Sequence, residues 1–312
     1  MAMTDLPGAP ASHAFTLRQL QYIVAVAEDL SFRRAAERCL VSQPALSAQL
    51  AQVERALGVV LFERDRRRVL ATTAGAAFVE RARLVLRAAD DLEAAAKSAR
   101  DPFERTLRVG VIPTISPYLL PRVTPALAAA YPRLVVHWLE NRTADLVHEL
   151  EAGRLDAALV ALEAPLGDVG HAVVATDPFV LATGPDHPLG RSRRRVAMAE
   201  LAATDVLLLD DGHCFREQAL AFCSRARARE LGFRATSLST LVQMVAAGGG
   251  VTLLPELALE VETARTKLRI RRFVEPAPAR TIVLVWRRGG AHGDALRQIA
   301  ATLRRARGTP FR

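Results

Sequence analysis

The first quarter of the chain carries apolar residues at the three- and four-residue spacing of helices. In the first predicted helix these residues are Leu17, Leu20, Val24 and Ala27. Thr16 and Gln19 match a capping box, which sets where this helix begins. Ser31 is expected to cap a second helix, and Ser42 a third that has Pro44 in its first turn. Two short helices, a tight turn and a third helix predict a helix-turn-helix.

Two short apolar segments after the third helix can pair as a hairpin. They are residues 61–64 and 69–72, with Asp65-Arg66-Arg67-Arg68 at the tip. An arginine-rich loop is usually a solvated turn. Beside a helix-turn-helix, however, it would place guanidinium groups where DNA phosphates lie. The sequence therefore predicts an all-α winged helix-turn-helix over residues 15–73, after a disordered leader of residues 1–14.

Residues 74–101 are predicted to form one long linker helix that ends at Asp101-Pro102. Its apolar residues alternate in steps of four and three, as in a coiled coil. They are Phe78, Ala82, Val85, Ala89, Leu92 and Ala96. Because a single apolar seam is unfavourable in water, we expect the same helix of a second subunit to cover it.

From Thr106 onward, runs typical of buried strands alternate with helical patterns. Strands are predicted at residues 107–112, 134–139, 155–162, 206–209, 251–254 and 282–286. Helices are predicted at residues 116–130, 143–152, 238–247 and 294–307, and in the segment that begins at Cys214. This alternation predicts an α/β domain with parallel sheets. Its length favours two similar lobes around a cleft, lobe I at about 106–178 plus 281–312 and lobe II at about 179–280.

Composition narrows the class of protein. Half of the 312 residues are hydrophobic, which predicts a globular chain. The net charge of +9 favours a polyanionic partner, although an arginine-rich composition can also reflect a high-GC genome. No segment matches a signal peptide or reaches membrane-spanning length, and the odd number of cysteines, three, favours a reducing cytosol. We therefore expect a cytoplasmic protein with no membrane partner.

The candidate chemistry follows the predicted strand 206–209. There Gly212 supplies a turn and Cys214 opens a helix, with His213 beside it. A helix N-terminus and nearby positive charge favour thiolate over thiol. Cys223 follows nine residues later, so the chain offers an attacking thiol and a candidate resolving thiol. Most buried cysteines are inert packing residues, so the residues alone leave redox sensing and packing both open.

Several motifs make the chain resemble LysR-type transcriptional regulators. The segments similar to that family's DNA-binding domain are residues 32–36, 41–47 and 57–64, and residues 246–255 are similar to its effector-domain signature. A narrower resemblance, to the family's peroxide sensors, rests on residues 110–114, 117–121, 211–223, 233–238 and 280–282. The Gly-His-Cys motif with a second cysteine nine residues on is specific within the family, and it favours sensing. The resemblance implies a regulatory domain of two lobes like those of periplasmic binding proteins.

The resemblance also implies the chemistry of the two thiols. Cys214 would be the peroxidatic thiol, oxidised by hydrogen peroxide, and Cys223 the resolving thiol that joins it in a disulfide. Glu217 stands where the family usually has an aspartate, three residues after the reactive cysteine. This longer carboxylate bears on the proton relay rather than on the thiol chemistry.

The peroxide pocket is implied in the same way. Thr114 and His213 would hold the peroxide by hydrogen bonds, and Thr143 matches a further threonine of the pocket. Arg280 would stabilise the thiolate and the oxygen that is transferred.

For DNA, the resemblance implies contacts from the start of the recognition helix and from nearby arginines. The helix residues would be Ser42, Gln43, Pro44, Ser47 and Gln49. The phosphate contacts would be Arg34, Arg64, Arg67 and Arg68. The implied partners are double-stranded promoter DNA, a second subunit through the linker helix, a tetramer as the larger assembly, and RNA polymerase.

Two other classes of protein stay open. An ordinary LysR-type regulator would bind a small metabolite in the cleft and use both cysteines for packing. A thiol peroxidase would use the same pair, but the chain has no recycling-partner motif and devotes its N-terminal third to DNA binding. We therefore expect a regulator rather than an enzyme. No cofactor or metal is expected, since Gly248-Gly249-Gly250 lies between a helix and a strand, the reverse of a dinucleotide fingerprint.

Overall fold

The computed structural model describes residues 13–64, 69–97, 103–210, 214–264, 266–289 and 292–306. Of Arg64 and Cys214 it describes the backbone alone. The predicted leader up to residue 12, and the predicted site residues Arg67, Arg68 and His213, lie outside these ranges. The chain divides into two compact units, Met1–Ala96 and Lys97–Arg312.

The first unit contains the predicted helices and hairpin. Its elements are α1 (Leu17–Asp29), α2 (Phe32–Arg38), α3 (Gln43–Leu57), β1 (Phe62–Arg64), β2 (Val69–Ala71) and α4 (Thr73–Lys97). The capping box is confirmed: the Gln19 N–H donates to Thr16 Oγ1 at 3.2 Å, and the Thr16 N–H donates to Gln19 Oε1 at 2.8 Å. Ser31 and Ser42 cap α2 and α3 as predicted. The helix boundaries are therefore set by local hydrogen bonds that can be predicted from the sequence.

One half-buried carboxylate fixes the hairpin against the third helix. Glu54 of α3 accepts hydrogen bonds from the backbone N–H groups of Leu61, at 2.7 Å, and Phe62, at 3.3 Å. β1 and β2 then pair antiparallel, with Phe62 opposite Ala71. The winged helix-turn-helix is confirmed.

The linker helix α4 has buried apolar residues near its start and exposed apolar residues further along. Val79 and Ala82 are buried in the core of the first unit. Further along, Val85 and Leu92 of the predicted seam are 44% and 73% exposed. Pairing of this seam with a second subunit stays a prediction.

The second unit is built from nine strands and six α-helices among the described residues. They are β3 (Thr106–Val111), α5 (Ser116–Ala130), β4 (Val135–Glu140), α6 (Thr143–Glu151), β5 (Ala157–Ala161), β6 (Val169–Thr183), β7 (Asp205–Leu209), α7 (Cys214–Arg225), β8 (Arg229–Ala235), α8 (Leu238–Ala246), β9 (Val251–Pro255), α9 (Leu259–Thr263), β10 (Arg269–Arg272), β11 (Ala279–Arg287) and α10 (Gly293–Ala306). The α/β class of this unit is confirmed.

The strands form a mixed sheet in the order β4-β3-β5-β11-β6-β9-β7-β8, with β10 also paired to β6. β3 is parallel to β4 and β5, and β7 is parallel to β8 and β9. β6 and β11 are antiparallel to each other, and also to β5, β9 and β10 where they meet them. The prediction of parallel sheets was therefore wrong at the centre, because two long strands run through it without crossover helices.

The sheet contributes residues to two separate hydrophobic cores. The first is formed by β3–β5, β11, the first part of β6, and helices α5, α6 and α10. The second is formed by the last part of β6, β7, β9, α7 and α8. β6 pairs with β11 up to Pro178, and with β9 from Phe179 onward, so this strand passes from one core to the other.

The sequence reading missed β6, β8 and β10. β6 has Asp177 and Pro178 in its interior, a polar residue and a residue without an N–H donor, which interrupt the apolar pattern. β8 and β10 are rich in charged residues and alternate poorly. The lobe boundaries near residues 178 and 281 stay predictions. No helix among the described residues is long and apolar enough to span a membrane.

Candidate functional site

Arg280 lies at the centre of the second unit, where β6 and β11 pass between the two cores. Its side chain is 0% exposed, and Arg280 stands directly opposite Asp177 across the strand pair. Its Nε donates to Asp177 Oδ2 at 2.9 Å. Its Nη1 donates to the Thr114 hydroxyl at 2.7 Å, and its Nη2 donates to the Thr114 carbonyl at 2.9 Å. Because a buried charge is tolerated only when it is paired and hydrogen-bonded, these contacts fix the guanidinium in place.

Asp177 extends this contact into the second core. The residue is 4% exposed, and its Oδ1 accepts a hydrogen bond from the backbone N–H of Leu257 at 2.9 Å. Leu257 belongs to the 3₁₀ helix Glu256–Ala258, which follows β9. One carboxylate therefore holds both the arginine of β11 and a turn at the edge of lobe II.

The first turn of α7 lies against the same arginine. The guanidinium carbon of Arg280 is 5.6 Å from the ring centroid of Phe215, a cation–π contact. Phe215 also packs edge-to-face on Phe179, with ring centroids 5.0 Å apart. Cys214 immediately precedes Phe215 and opens α7. The structure thus brings Thr114, Arg280 and the start of the cysteine helix together.

Thr143 lies at the same edge of the sheet as Thr114. β3 and β4 are parallel neighbours, with Val111 opposite Glu140, and each threonine follows its strand by three residues. Thr143 is 6% exposed, and its Oγ1 is buried without a hydrogen-bond partner among the described residues. A buried hydroxyl of this kind is a ready partner for a small polar molecule.

Cys223 is seated in the core of lobe II near the end of α7. It is 4% exposed, and burial, with the nearby Glu230 carboxylate as a second cause, raises the pKa of its thiol to about 11. Arg216 forms an ion pair with the same Glu230 at 2.9 Å. The Cys223 sulfur therefore keeps its proton at neutral pH.

Glu217 faces solvent on α7. The next residue, Gln218, lies 3.5 Å from Glu163, and Glu163 accepts a hydrogen bond from the Thr281 N–H at 2.8 Å. This side of α7 therefore contacts the segment after β5.

A second polar contact joins α5 to the α8–α9 region. The Tyr118 hydroxyl donates to Glu262 Oε1 at 2.7 Å, and the Ser239 hydroxyl donates to the same oxygen at 2.8 Å. Burial, and then the hydrogen bond to Glu262, raise the pKa of Tyr118 well above its ordinary value. One turn further along α5, Arg122 pairs with Glu260.

The predicted DNA-reading residues lie at the start of α3. Ser42 is its N-cap, and the side chains of Gln43, Pro44 and Gln49 are exposed. Ser47 is half-buried. Gln49 accepts a hydrogen bond from the Gln19 amide at 2.9 Å, which orients it from α1.

Arg34, predicted to contact phosphate, is exposed on α2. Its guanidinium donates to the backbone carbonyl of Asp29. Arg64 ends β1, and its side chain is among those not described. No cluster of metal-ligating side chains occurs in the part of the chain that the structure describes.

Two protein families account for nearly the whole chain. Residues 17–76 match the bacterial regulatory helix-turn-helix proteins of the lysR family, and residues 100–308 match the LysR substrate binding domain. The chain belongs to the LysR family. This confirms the resemblance drawn from the sequence motifs.

Several relatives of this LysR-family chain are named for hydrogen peroxide. It is 44% identical over 297 residues to the hydrogen peroxide-inducible genes activator of Dickeya chrysanthemi, which covers 92% of this chain and 94% of the relative. Full-length OxyR from Pseudomonas aeruginosa, with aspartate in place of one cysteine, matches with a TM-score of 0.80 at 34% identity, over 96% of this chain and 98% of that one. A cysteine-to-serine mutant of Corynebacterium glutamicum OxyR with H2O2 bound matches with a TM-score of 0.65 at 35% identity, over 93% and 92%.

Sequence reasoning missed the acidic partners in this LysR-family chain. Asp177 was not predicted, because the strand that carries it was not predicted, and Glu262 lies in a short helix with no distinctive pattern. Arg280 and Thr114 were named from resemblance. The structure adds that these two residues hydrogen-bond each other.

We expect Asp177→Ala to lower the free energy of unfolding by about 3–5 kcal/mol, because it leaves the buried Arg280 charge without its carboxylate. Asp168→Ala is the matched control, since Asp168 pairs with Arg288 on the surface and is 77% exposed. Its loss should cost no more than about 1 kcal/mol. Denaturant unfolding measures both, and equal losses in the two variants would show that the Arg280 pair is not structural.

The buried Cys223 thiol should make stability depend on alkaline pH. Its folded pKa of about 11 lies above the ordinary value of 9.0, so the folded state keeps a proton that the unfolded chain loses. The free energy of unfolding should therefore fall by about 2–3 kcal/mol as pH rises from about 9 to about 11, and this contribution should be fully present below that range. Comparison with Cys223→Ala isolates this effect. Parallel pH profiles for the two proteins would contradict it.

Proposed function

We propose that this chain is a peroxide-sensing, DNA-binding transcriptional regulator in which hydrogen peroxide oxidises Cys214. The observation that carries the proposal is the junction of Arg280, Thr114 and the first turn of α7, where a fixed positive charge lies beside the helix that Cys214 opens. The names of the relatives, and the peroxide bound in one similar structure, support the same function. The LysR family consists of transcriptional regulators, and we propose no enzymatic turnover for this member.

The proposed reaction uses the residues of that junction. The Cys214 thiolate attacks one oxygen of hydrogen peroxide, the O–O bond breaks, and the leaving hydroxide takes a proton to become water. Cys214 is then a sulfenic acid. The Arg280 charge and the helix N-terminus favour the thiolate and the negative charge on the leaving oxygen. Thr114, Thr143 and His213 would hold the peroxide by hydrogen bonds, and Glu217 would serve the proton relay.

Cys223 would complete the reaction as the resolving thiol. Its sulfur attacks the Cys214 sulfenic sulfur, the S–O bond breaks, and the hydroxide leaves as water with the Cys223 proton. Nine residues of intact helix separate the two Cα atoms by about 13.5 Å. A disulfide needs Cα atoms within about 7 Å of each other. Part of α7, or the turn before it, therefore has to unfold for the bond to form.

The winged helix-turn-helix would bind promoter DNA. We propose that Gln43, Ser47 and Gln49 read base edges, with Ser42 and Pro44 placing the helix in the groove. Arg34, Arg64, Arg67 and Arg68 would contact phosphates.

The proposed assembly is a dimer through α4, and two such dimers form a tetramer. RNA polymerase is the proposed protein partner, and the cytoplasm the proposed location. The remodelled α7 would change how the paired DNA-binding units engage the promoter.

Intact-mass spectrometry under non-reducing conditions tests the chemistry. After a small dose of hydrogen peroxide, the wild-type chain should lose two hydrogen atoms, and digestion should recover a Cys214–Cys223 linked peptide. Cys214→Ser should not form this bond and should lose the change in promoter binding. Cys39→Ser, which alters the cysteine of the first unit, is the control and should behave like the wild type.

An unchanged promoter response in Cys214→Ser would refute peroxide sensing through this thiol. It would favour a LysR-family regulator that responds to a small metabolite in the cleft.

A further inference from the structure

Most of the net positive charge of this chain lies in the second unit, and little of it lies in the first unit, which contains the helix-turn-helix. Residues 1–96 contain twelve arginines, no lysine and eleven acidic residues, a net charge of +1. Residues 97–312 hold the other thirty basic residues against twenty-two acidic ones, a net charge of +8. If the overall charge reflects a polyanionic partner, that partner would therefore also contact the second unit, which we call the regulatory unit.

The densest basic segment of that unit is Arg191-Ser192-Arg193-Arg194-Arg195, between β6 and β7. Arg191, Arg193 and Arg194 are exposed and have no carboxylate partner among the described residues. Arg269 of β10 is also exposed and unpaired there, and it lies beside the start of the segment, since a Cβ on Gly190 would be 2.9 Å from the Arg269 Cβ. We call Arg191, Arg193, Arg194 and Arg269 the arginine cluster.

The nearby acidic residues are mostly engaged elsewhere. Glu200 pairs with Arg271 at 3.0 Å, and Glu275 lies 3.4 Å from Arg195. Asp186 is exposed and can offset one charge of the cluster. The cluster therefore keeps a net positive charge that its own surroundings do not neutralise.

A buried scaffold holds the segment in shape. Arg271 is 5% exposed, and its guanidinium donates to the backbone carbonyls of Leu189 at 3.0 Å, Arg194 at 2.9 Å and Arg195 at 3.3 Å. At the end of the segment, Val196 is fully buried, and its backbone bonds to Arg272 and Val274. Because Arg271 donates hydrogen bonds to these backbone carbonyls, the backbone that carries the exposed arginines is fixed. A fixed backbone loses less conformational entropy when the arginines bind a partner.

We propose that the arginine cluster is a second DNA-binding surface. It binds the phosphate backbone of duplex DNA independently of the base sequence. Guanidinium groups suit phosphate geometry, and the run from Arg191 to Arg195 has no aromatic residue of the kind that anchors protein–protein interfaces. The chain already binds DNA through α3 in its proposed function. Even a weak second contact on the same molecule then acts at a high effective concentration.

Binding of random-sequence duplex DNA to the full-length protein, measured across a salt series, tests the cluster. Arg193→Gln/Arg194→Gln should weaken binding and lower the slope of log affinity against log salt by about 1–2, since each neutralised phosphate contributes about 0.9. Arg304→Gln/Arg305→Gln removes the same charge from the exposed end of α10 and is the matched control. The thermal midpoint should be unchanged in Arg193→Gln/Arg194→Gln, because both side chains are exposed. In the control it can fall slightly, because Arg305 donates a hydrogen bond to Thr302 at 3.2 Å and both arginines lie in the last turn of α10.

The possible outcomes distinguish a DNA contact at the arginine cluster from a general effect of net charge and from binding of an acidic protein. An equal loss in both double variants would overturn the proposal in favour of a general charge effect. Unchanged DNA binding with weaker binding of polyglutamate would overturn it in favour of an acidic protein. Peroxide-driven disulfide formation should be normal in Arg193→Gln/Arg194→Gln, so a failure here is distinct from a failure of redox sensing.

Discussion

A buried arginine whose charge has to be neutralised inside the protein organises the regulatory unit. Arg280 is fully enclosed, and its guanidinium is shared between Asp177 of β6 and Thr114 after β3. Asp177 also holds the Leu257 N–H of lobe II. An ion removed from water in this way is stable only while its partners stay in place. The two long strands are therefore locked where they pass between the cores, and a change of state has to occur elsewhere.

We propose that helix α7 is the element that changes. Its first turn rests on Arg280 and Phe179 through Phe215, and its far end is anchored in lobe II by the buried Cys223. The separation of the two thiols along a helix is incompatible with a disulfide. Because close-packed cores pass between discrete arrangements rather than deforming continuously, oxidation should select a second packing of this helix. The arginine that we propose to activate the Cys214 thiol would thus also hold the fixed end of this helix.

How much the sequence could predict depended on the range of each interaction. The caps at Thr16, Ser31 and Ser42 involve partners three residues away, and local pattern predicted them correctly. Strand β6 was missed because Asp177 and Pro178 break its pattern. The Arg280–Asp177 contact joins residues 103 apart, and Tyr118–Glu262 joins residues 144 apart. No local signal encodes such pairs, so the site residues could be named from resemblance while their partners could not.

Amide hydrogen exchange of the reduced and peroxide-treated protein tests the central claim most directly. The account predicts that residues 214–225 lose protection on oxidation, because the disulfide requires part of α7 to unfold. Helix α10, which packs in the other core, serves as the internal reference and should exchange alike in both states. Identical protection of α7 in the two states, with the Cys214–Cys223 disulfide verified by mass, would contradict the account.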